Sequence, residues 1–344
     1  MYKDLEDYGI IGNLETCALV GKDGSIDWLC FPFIDSPSVF AALLDTERGG
    51  HFRIGPSTEY ESIQSYIKKT NILQTTFSTA LGNGVLTDFM KEKGGDHHRA
   101  VFRKVLCTKG SLDLEICFKP RFQYAKVLPK LFSQGNGILA QAENEKLFLE
   151  TPFPLEINHN QVRSTLVMKK GQAFWFILQY GAQDPLTPQE CEKKLMNAGK
   201  YWTGWRDRSN PLSSSIEEPW HDLVVRSGLV LKLLIDTDTG AIAAAPTTSL
   251  PEKIGGVRNW DYRYSWIRDA SFTVQALYHL GHVKESKQFY QWIENIVQQA
   301  ENPSKILIMY PLNKGTSLEE KNLENLSGYK DSSPVRIGND AARQ

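Results

Sequence analysis

Hydrophobic and polar positions follow one rhythm up to about residue 185 and another after it. In the first part, short β-like runs are separated by turn residues. Ala18-Leu19-Val20 and Ser25-Ile26-Asp27-Trp28 flank Gly21-Lys22-Asp23-Gly24, a hairpin signature. Leu81 and Val85 flank Gly82-Asn83-Gly84, which predicts a second turn of that kind. Leu112, Leu114 and Ile116 alternate with Asp113, Glu115 and Cys117, the period of a half-buried strand. Gly135-Asn136-Gly137 leads into Ile138-Leu139-Ala140, and Lys169-Lys170-Gly171-Gln172 separates Thr165–Met168 from Ala173–Gln179. Phe174-Trp175-Phe176-Ile177-Leu178 has the all-apolar character of a strand buried on both faces. Many short strands at this spacing predict a β-sandwich.

After residue 185 the period becomes helical. Thr187-Pro188-Gln189-Glu190 combines an N-cap, a proline at the first helical position and an acid placed to reach back. Cys191, Leu195, Ala198, Trp202 and Trp205 then recur at helical spacing. Asn210-Pro211-Leu212-Ser213-Ser214-Ser215 has linker composition. A second helix is expected over Trp220–Leu234, with Leu223, Ser227, Val230, Leu231 and Leu234 on its inner face. Asp236 to Arg268 carries no clear period, and long loops in compact domains are usually functional. A third helix is expected over Asp269–Leu280, stopped by Gly281. A fourth is expected over His282–Gln299, with Phe289, Trp292, Ile293 and Ile296 turned inward. No internal repeat breaks this β-then-α order.

Composition narrows the function. The 344 residues are 41% hydrophobic and 23% charged, enough for a sizeable core without disulfides or metals. A net charge of −1 without a basic stripe argues against nucleic acid and suits a neutral ligand such as a sugar. The five cysteines, Cys17, Cys30, Cys107, Cys117 and Cys191, show no knuckle or redox spacing and are expected to be reduced and buried. The polar, acidic start Tyr2-Lys3-Asp4-Leu5-Glu6-Asp7 is not a signal peptide, and no apolar run approaches the ~20 residues of a membrane span. A cytoplasmic protein, free of membrane, is the expectation. His97-His98 lacks a third ligand at metal spacing, and Gly255-Gly256 lacks the Lys-Ser/Thr of a phosphate loop.

The most informative stretch is Gly255-Gly256-Val257-Arg258-Asn259-Trp260-Asp261-Tyr262-Arg263-Tyr264-Ser265-Trp266-Ile267-Arg268-Asp269. It holds four aromatics, three arginines and two aspartates in fifteen residues. Sugars need this mixture. Their C–H faces stack on rings, and their vicinal hydroxyls take charge-assisted bonds from Arg and Asp. The same mixture also builds domain interfaces and buried Arg–Asp pairs.

The string Arg-Asn-Trp-Asp-Tyr-Arg-Tyr-Ser-Trp-Ile-Arg-Asp-Ala-Ser, residues 258–271, closely resembles the signature of family 15 glycoside hydrolases, which include glucoamylases, glucodextranases and α,α-trehalases. Tyr8–Asn13, Asp23–Cys30, Asp35–Asp45, Thr247–Glu252, Gly328-Tyr329 and Ser333–Asn339 resemble other blocks of that family, in order along the whole chain. The resemblance implies a β + α multidomain fold: an N-terminal β-supersandwich over 1–185, a linker helix over 186–215, and the first part of an (α/α)6 toroid over 216–344. It implies an inverting exo-α-glucosidase acting on maltooligosaccharides or trehalose, with no cofactor. Tyr262, Trp266, Arg268 and Asp269 would line the subsite for the non-reducing glucose, with Trp260 and Asp261 supporting the loop.

Both catalytic glutamates of the family lie beyond the block that ends at Asn339, so the acid and base are expected downstream of Gln344. Glu285 and Glu294 are expected on the solvated face of a helix, and Glu319, Glu320 and Glu324 in a polar run with Lys314 and Lys321. None of them is a catalytic candidate. A shortened toroid is expected to leave Phe289, Trp292 and Ile296 partly uncovered. The alternatives are a non-catalytic sugar- or partner-binding remnant and an inert decayed product. Oligomeric state and the choice of sugar stay open.

Overall fold

A computed structural model describes residues 2–343 except 93, 95, 96, 98, 182–183, 209–219 and 314. The expected linker 210–215 and His98 lie outside the described residues.

The first 180 residues form two antiparallel sheets joined by one strand. Ala100–Lys119 runs through both. Its first part pairs with Gly82–Met90 and Ala173–Tyr180, and its second with His51–Pro56 and Gln161–Lys169. Ile26, Phe52, Ile116 and Phe118 from one sheet pack with Phe77, Leu86, Val105 and Phe176 from the other in a single core. The strand Ala173–Tyr180 is buried on both faces from Trp175 to Gln179, as its apolar run predicts. Leu112, Leu114 and Ile116 all point inward.

Turns fall largely where expected. Gly24 closes the hairpin between Cys17–Gly21 and Ser25–Cys30 at φ +76, where a Cβ would sit 2.1 Å from the Ile54 carbonyl oxygen. Gly24→Ala is therefore expected to cost about 1–3 kcal/mol in urea unfolding. A variant as stable as the parent would show that the backbone there relaxes freely. Gly82-Asn83-Gly84 is not a turn. The chain reverses at Ala80-Leu81, and the glycines open the strand Gly82–Met90 with a bulge at Asn83/Gly84. The reason is close approach: a Cβ on Gly82 would lie 2.2 Å from the Lys109 carbonyl oxygen.

The helical part begins with Pro188–Arg206. Thr187 Oγ1 accepts the Glu190 amide (3.3 Å), and Glu190 Oε2 accepts the Thr187 amide (2.7 Å), completing the capping box. The helix Trp220–Leu233 buries Gly228, Leu229, Lys232 and Leu233, while Leu223 is exposed. This corrects the expected inner face, because the helix packs against Ile267–His279, Pro188–Arg206 and the strand Tyr8–Gly12 together rather than on one apolar stripe. Ile267–His279 and Val283–Gln299 form an antiparallel hairpin. Gly281, at φ +89, sends its amide to Tyr278 O, and His282 sends its own to Leu277 O, a Schellman ending.

Phe289 is buried, and Trp292, Ile293 and Ile296 are half-buried. Trp292 and Ile296 are thus partly uncovered as expected, Phe289 is not, and Phe272, Tyr278, Val283, Tyr290 and Val297 of this hairpin are more exposed still. Glu285 also departs from expectation. It is buried, not solvated: Lys232 Nζ lies 3.0 Å and Trp205 Nε1 2.8 Å from its Oε1. Burial alone would raise its carboxyl, yet Lys232 and the Trp205 N–H hold it below the usual range.

The helical part docks on the sandwich through polar contacts. The Arg226 guanidinium lies 3.9 Å from the Tyr66 ring centroid and donates to Thr70 O at 2.8 Å. Asn71 Nδ2 donates to Leu229 O (3.1 Å), Trp28 Nε1 to Pro246 O (2.9 Å), and the Leu312 amide to Asp35 Oδ2 (3.1 Å). All five cysteines are unpaired and buried. Among the described residues, no helix is long and apolar enough to cross a membrane, and no group of three His, Cys, Asp or Glu side chains could hold a metal.

Candidate functional site

The aromatic-rich stretch lies across the boundary between sandwich and helices. Its backbone is held by Ser249 N donating to Trp260 O, Ala245 N to Tyr262 O and Ala244 N to Tyr264 O, at 2.8–2.9 Å. Ser265 and Trp266 pair with Tyr310 and Met309. Trp266 is the N-cap of Ile267–His279, which puts Arg268 and Asp269 in the first helical turn, two residues earlier than the expected start at Asp269. A carboxylate there is favoured by the helix N-terminus.

Four expected site residues come together. The rings of Tyr262 and Trp266 lie 5.9 Å apart at 50°. The Arg268 guanidinium lies 5.3 Å from the Trp266 ring centroid, and Arg268 Nη2 pairs with Asp269 Oδ2 at 2.9 Å. Arg268 is largely exposed and Asp269 partly so, whereas Trp266 is only 9% exposed. Trp266 packs with Met309 and Ala342, and its Nε1–H is buried with no acceptor among the described residues.

The other two lie elsewhere. Trp260 is half-buried beneath the Arg336 guanidinium, 4.4 Å from its ring centroid. Arg336 in turn donates to Val257 O (2.7 Å) and pairs with Glu320 (3.2 Å). Asp261 is fully buried. Its carboxylate accepts from Arg263 Nε (2.9 Å) and Nη2 (2.7 Å), from Tyr264 Oη (3.1 Å) and from the Gly338 amide (3.3 Å). Both carboxylate oxygens of Asp261 are engaged by donors of the protein itself.

Arg263 and Asn259 were missed by sequence reasoning. Asn259 Nδ2 donates to the carbonyls of Gly256, Ser332 and Pro334 at 3.1–3.2 Å, fixing the loop's entry. Arg263, also fully buried, reaches the sandwich: Nη1 donates to Ser36 O (2.8 Å) and Ile34 O (3.3 Å), and Nη2 to Tyr124 Oη (2.8 Å). Burial pushes the nearby Cys30 thiol up to about 12, against the pull of Arg263, so it stays protonated at neutral pH. The one available signal was the i, i+2 spacing of Asp261 and Arg263, which puts both on one side of an extended chain. Beside this network, a cleft of about 440 Å³ opens between the 33–37 loop on one side and Asn313 with residues 315–321 on the other, walled by Tyr124 and Tyr264.

Known proteins define the class to which this fold and loop belong. Residues 2–202 match the family described as Trehalase-like, N-terminal, and residues 218–344 match Glycosyl hydrolases family 15. A trehalase of Thermoplasma volcanium is 35% identical over 100% of this chain and 55% of its own length. Trehalases of Thermoplasma acidophilum (36% over 95% of this chain, 56% of its own) and Mycolicibacterium smegmatis (34% over 100%, 55% of its own) are similar. The chain thus spans about 55% of the length of the curated relatives it matches. It belongs to the trehalase-like family 15 of glycoside hydrolases.

Proposed function

We propose that this chain supplies the sugar-recognition part of an inverting exo-α-glucosidase acting on trehalose or maltooligosaccharides. Tyr262, Trp266, Arg268 and Asp269 would hold the non-reducing glucose, with Trp260, Asp261 and Arg263 bracing the loop behind them. The observation that carries this is the exposed Arg268–Asp269 pair set against Trp266 and Tyr262. It joins a stacking surface to a charged rim able to donate to and accept from vicinal hydroxyls. The unpartnered Trp266 N–H adds a donor that a ligand oxygen could satisfy.

The domain reading that goes with it is a β-supersandwich over 1–185, a linker over 186–215 and the opening helices of an (α/α)6 toroid from 216 onward. Five unpaired thiols suit a reducing, cytoplasmic setting.

An inverting hydrolase needs two carboxyl groups roughly 6.5–9.5 Å apart across a sugar. Glu285 is committed to Lys232, and Glu320 to Arg336. Neither of these two is free for proton transfer, and the role we assign to this chain is recognition. A second reading is a non-catalytic sugar-binding protein.

Titrating the chain with trehalose and maltose, with glucose release measured in parallel, tests both readings. Arg268→Ala and Asp269→Ala should each weaken binding about tenfold or more, through loss of charge-assisted bonds. Because Arg268 is exposed and Asp269 partly so, stability should change by no more than ~0.5 kcal/mol. Binding without glucose release favours the second reading. Absence of any sugar binding by the parent chain sinks both.

A further inference from the structure

We propose that Arg263 is a positioning residue, through which the Ile34–Ser36 loop of the sandwich sets the placement of Tyr262 and Trp266; this rests on the sugar-recognition reading above. Arg263 is fully buried, and its fork is used completely. Nε and Nη2 hold Asp261 at 2.9 and 2.7 Å, Nη2 also meets Tyr124 Oη at 2.8 Å, and Nη1 meets Ser36 O and Ile34 O at 2.8 and 3.3 Å. The acceptors on the sandwich side are more than 130 residues away along the chain. The guanidinium also lies 5.3 Å from the Tyr124 ring centroid and 5.9 Å from that of Trp28.

Arg263 reaches the sandwich and pairs with Asp261, while Tyr262, Tyr264 and Trp266 gather in a separate cluster with Met309 and Leu318. The anchor and the stacking surface are therefore built from the same short stretch of chain. Tyr264 links them, because its ring lies in the cluster and its hydroxyl meets Asp261 at 3.1 Å. Releasing Arg263 frees the backbone on which Tyr262 sits, and a shift of about 1 Å at a recognition surface can cost on the order of a hundredfold. A lysine cannot replace the fork. It offers one nitrogen where the arginine uses three.

The experiment compares the full chain with Arg263→Lys, Arg263→Met and Tyr124→Phe. Amide hydrogen exchange is followed in segments 30–37 and 259–268, together with affinity for trehalose and maltose. For Arg263→Lys, exchange should rise in both segments together, by about tenfold or more, with Val283–Gln299 unchanged, and sugar affinity should fall about tenfold. Tyr124→Phe removes one acceptor without disturbing the charge, and should give the same pattern at a smaller size. Should Arg263→Met fail to fold, the other two variants carry the comparison. Exchange rising in 259–268 alone, or in neither segment, overturns the coupling. So does an Arg263→Lys chain that binds sugar as the parent does. If the parent binds no sugar, the recognition reading fails, and the exchange pattern alone still decides whether Arg263 positions the loop.

Discussion

Arg103→Met is expected to destabilise the sandwich by about 3–5 kcal/mol, the usual result of removing one partner from a buried ion pair. Arg103 and Asp88 are both fully buried, with Nε–Oδ1 at 2.7 Å. The same guanidinium donates to Phe52 O and Gly24 O, each at 2.7 Å. It thus joins the sheet that contains Asp88 to the opposite sheet at the hairpin where Gly24 turns. Without it, one carboxylate and two carbonyls are left in the core. Burial already pushes the Asp88 carboxyl up against the pull of Arg103, and in the variant nothing opposes that push. A carboxyl whose folded value is raised contributes stability below its unfolded value and loses it as pH rises through the folded one. The deficit of Arg103→Met should therefore be large at pH 7 and smaller near pH 4. Urea unfolding at both pH values measures it. An equal deficit at the two would show that Asp88 is not the group left exposed to the cost.

The fold was legible where local chemistry decides the outcome. The turn at Gly21–Gly24, the buried run Phe174–Leu178 and the Thr187 capping box depend on residues a few positions apart, and all stand in the structure. The misplaced turn at Gly82-Asn83-Gly84 shows the limit. Glycines there serve the approach of Lys109 from another strand, and nothing local distinguishes that use from a reversal. The helix Trp220–Leu233 stands where expected, but its inner face was misjudged for a similar reason. Its inner face includes Lys232, whose burial depends on Glu285 more than fifty residues away.

The candidate site divides along the same line. Tyr262, Trp266, Arg268 and Asp269 are neighbours in sequence; the mixture of the stretch suggested a sugar surface, and the family resemblance singled out these four. The structure brings these four into contact. The alternative use of such composition, a buried Arg–Asp pair at an interface, is present as well, in Asp261 and Arg263. Both patterns occupy one fifteen-residue stretch. Which residue serves which was hidden, because the deciding acceptors are backbone carbonyls of Ile34 and Ser36, and a carbonyl leaves no trace in residue identity.

Glu285→Ala is expected to cost about 3–5 kcal/mol and to loosen the helical half first. Glu285 joins three helices: its Oε1 takes Lys232 Nζ from Trp220–Leu233 and the Trp205 indole from Pro188–Arg206. Removing it leaves an ammonium that is almost fully buried and an indole N–H without an acceptor. The pair also sets an acid limit. Lys232 and Trp205 hold the Glu285 carboxyl below its ordinary value despite burial. A carboxyl lowered in the folded state gives stability that is fully present above the unfolded value, about 4.3, and is lost as pH falls through the folded one. Near-UV dichroism of the tryptophans on heating, between pH 7 and 3, should show the parent losing stability in that window. Glu285→Gln should be less stable at pH 7, with a flatter acid slope. The double variant Lys232→Met/Glu285→Leu should recover most of the loss, since a well-packed apolar pair often matches a buried ionic one. A double variant as unstable as Glu285→Ala would mean that the three helices are held by the position of Trp205 rather than by charge.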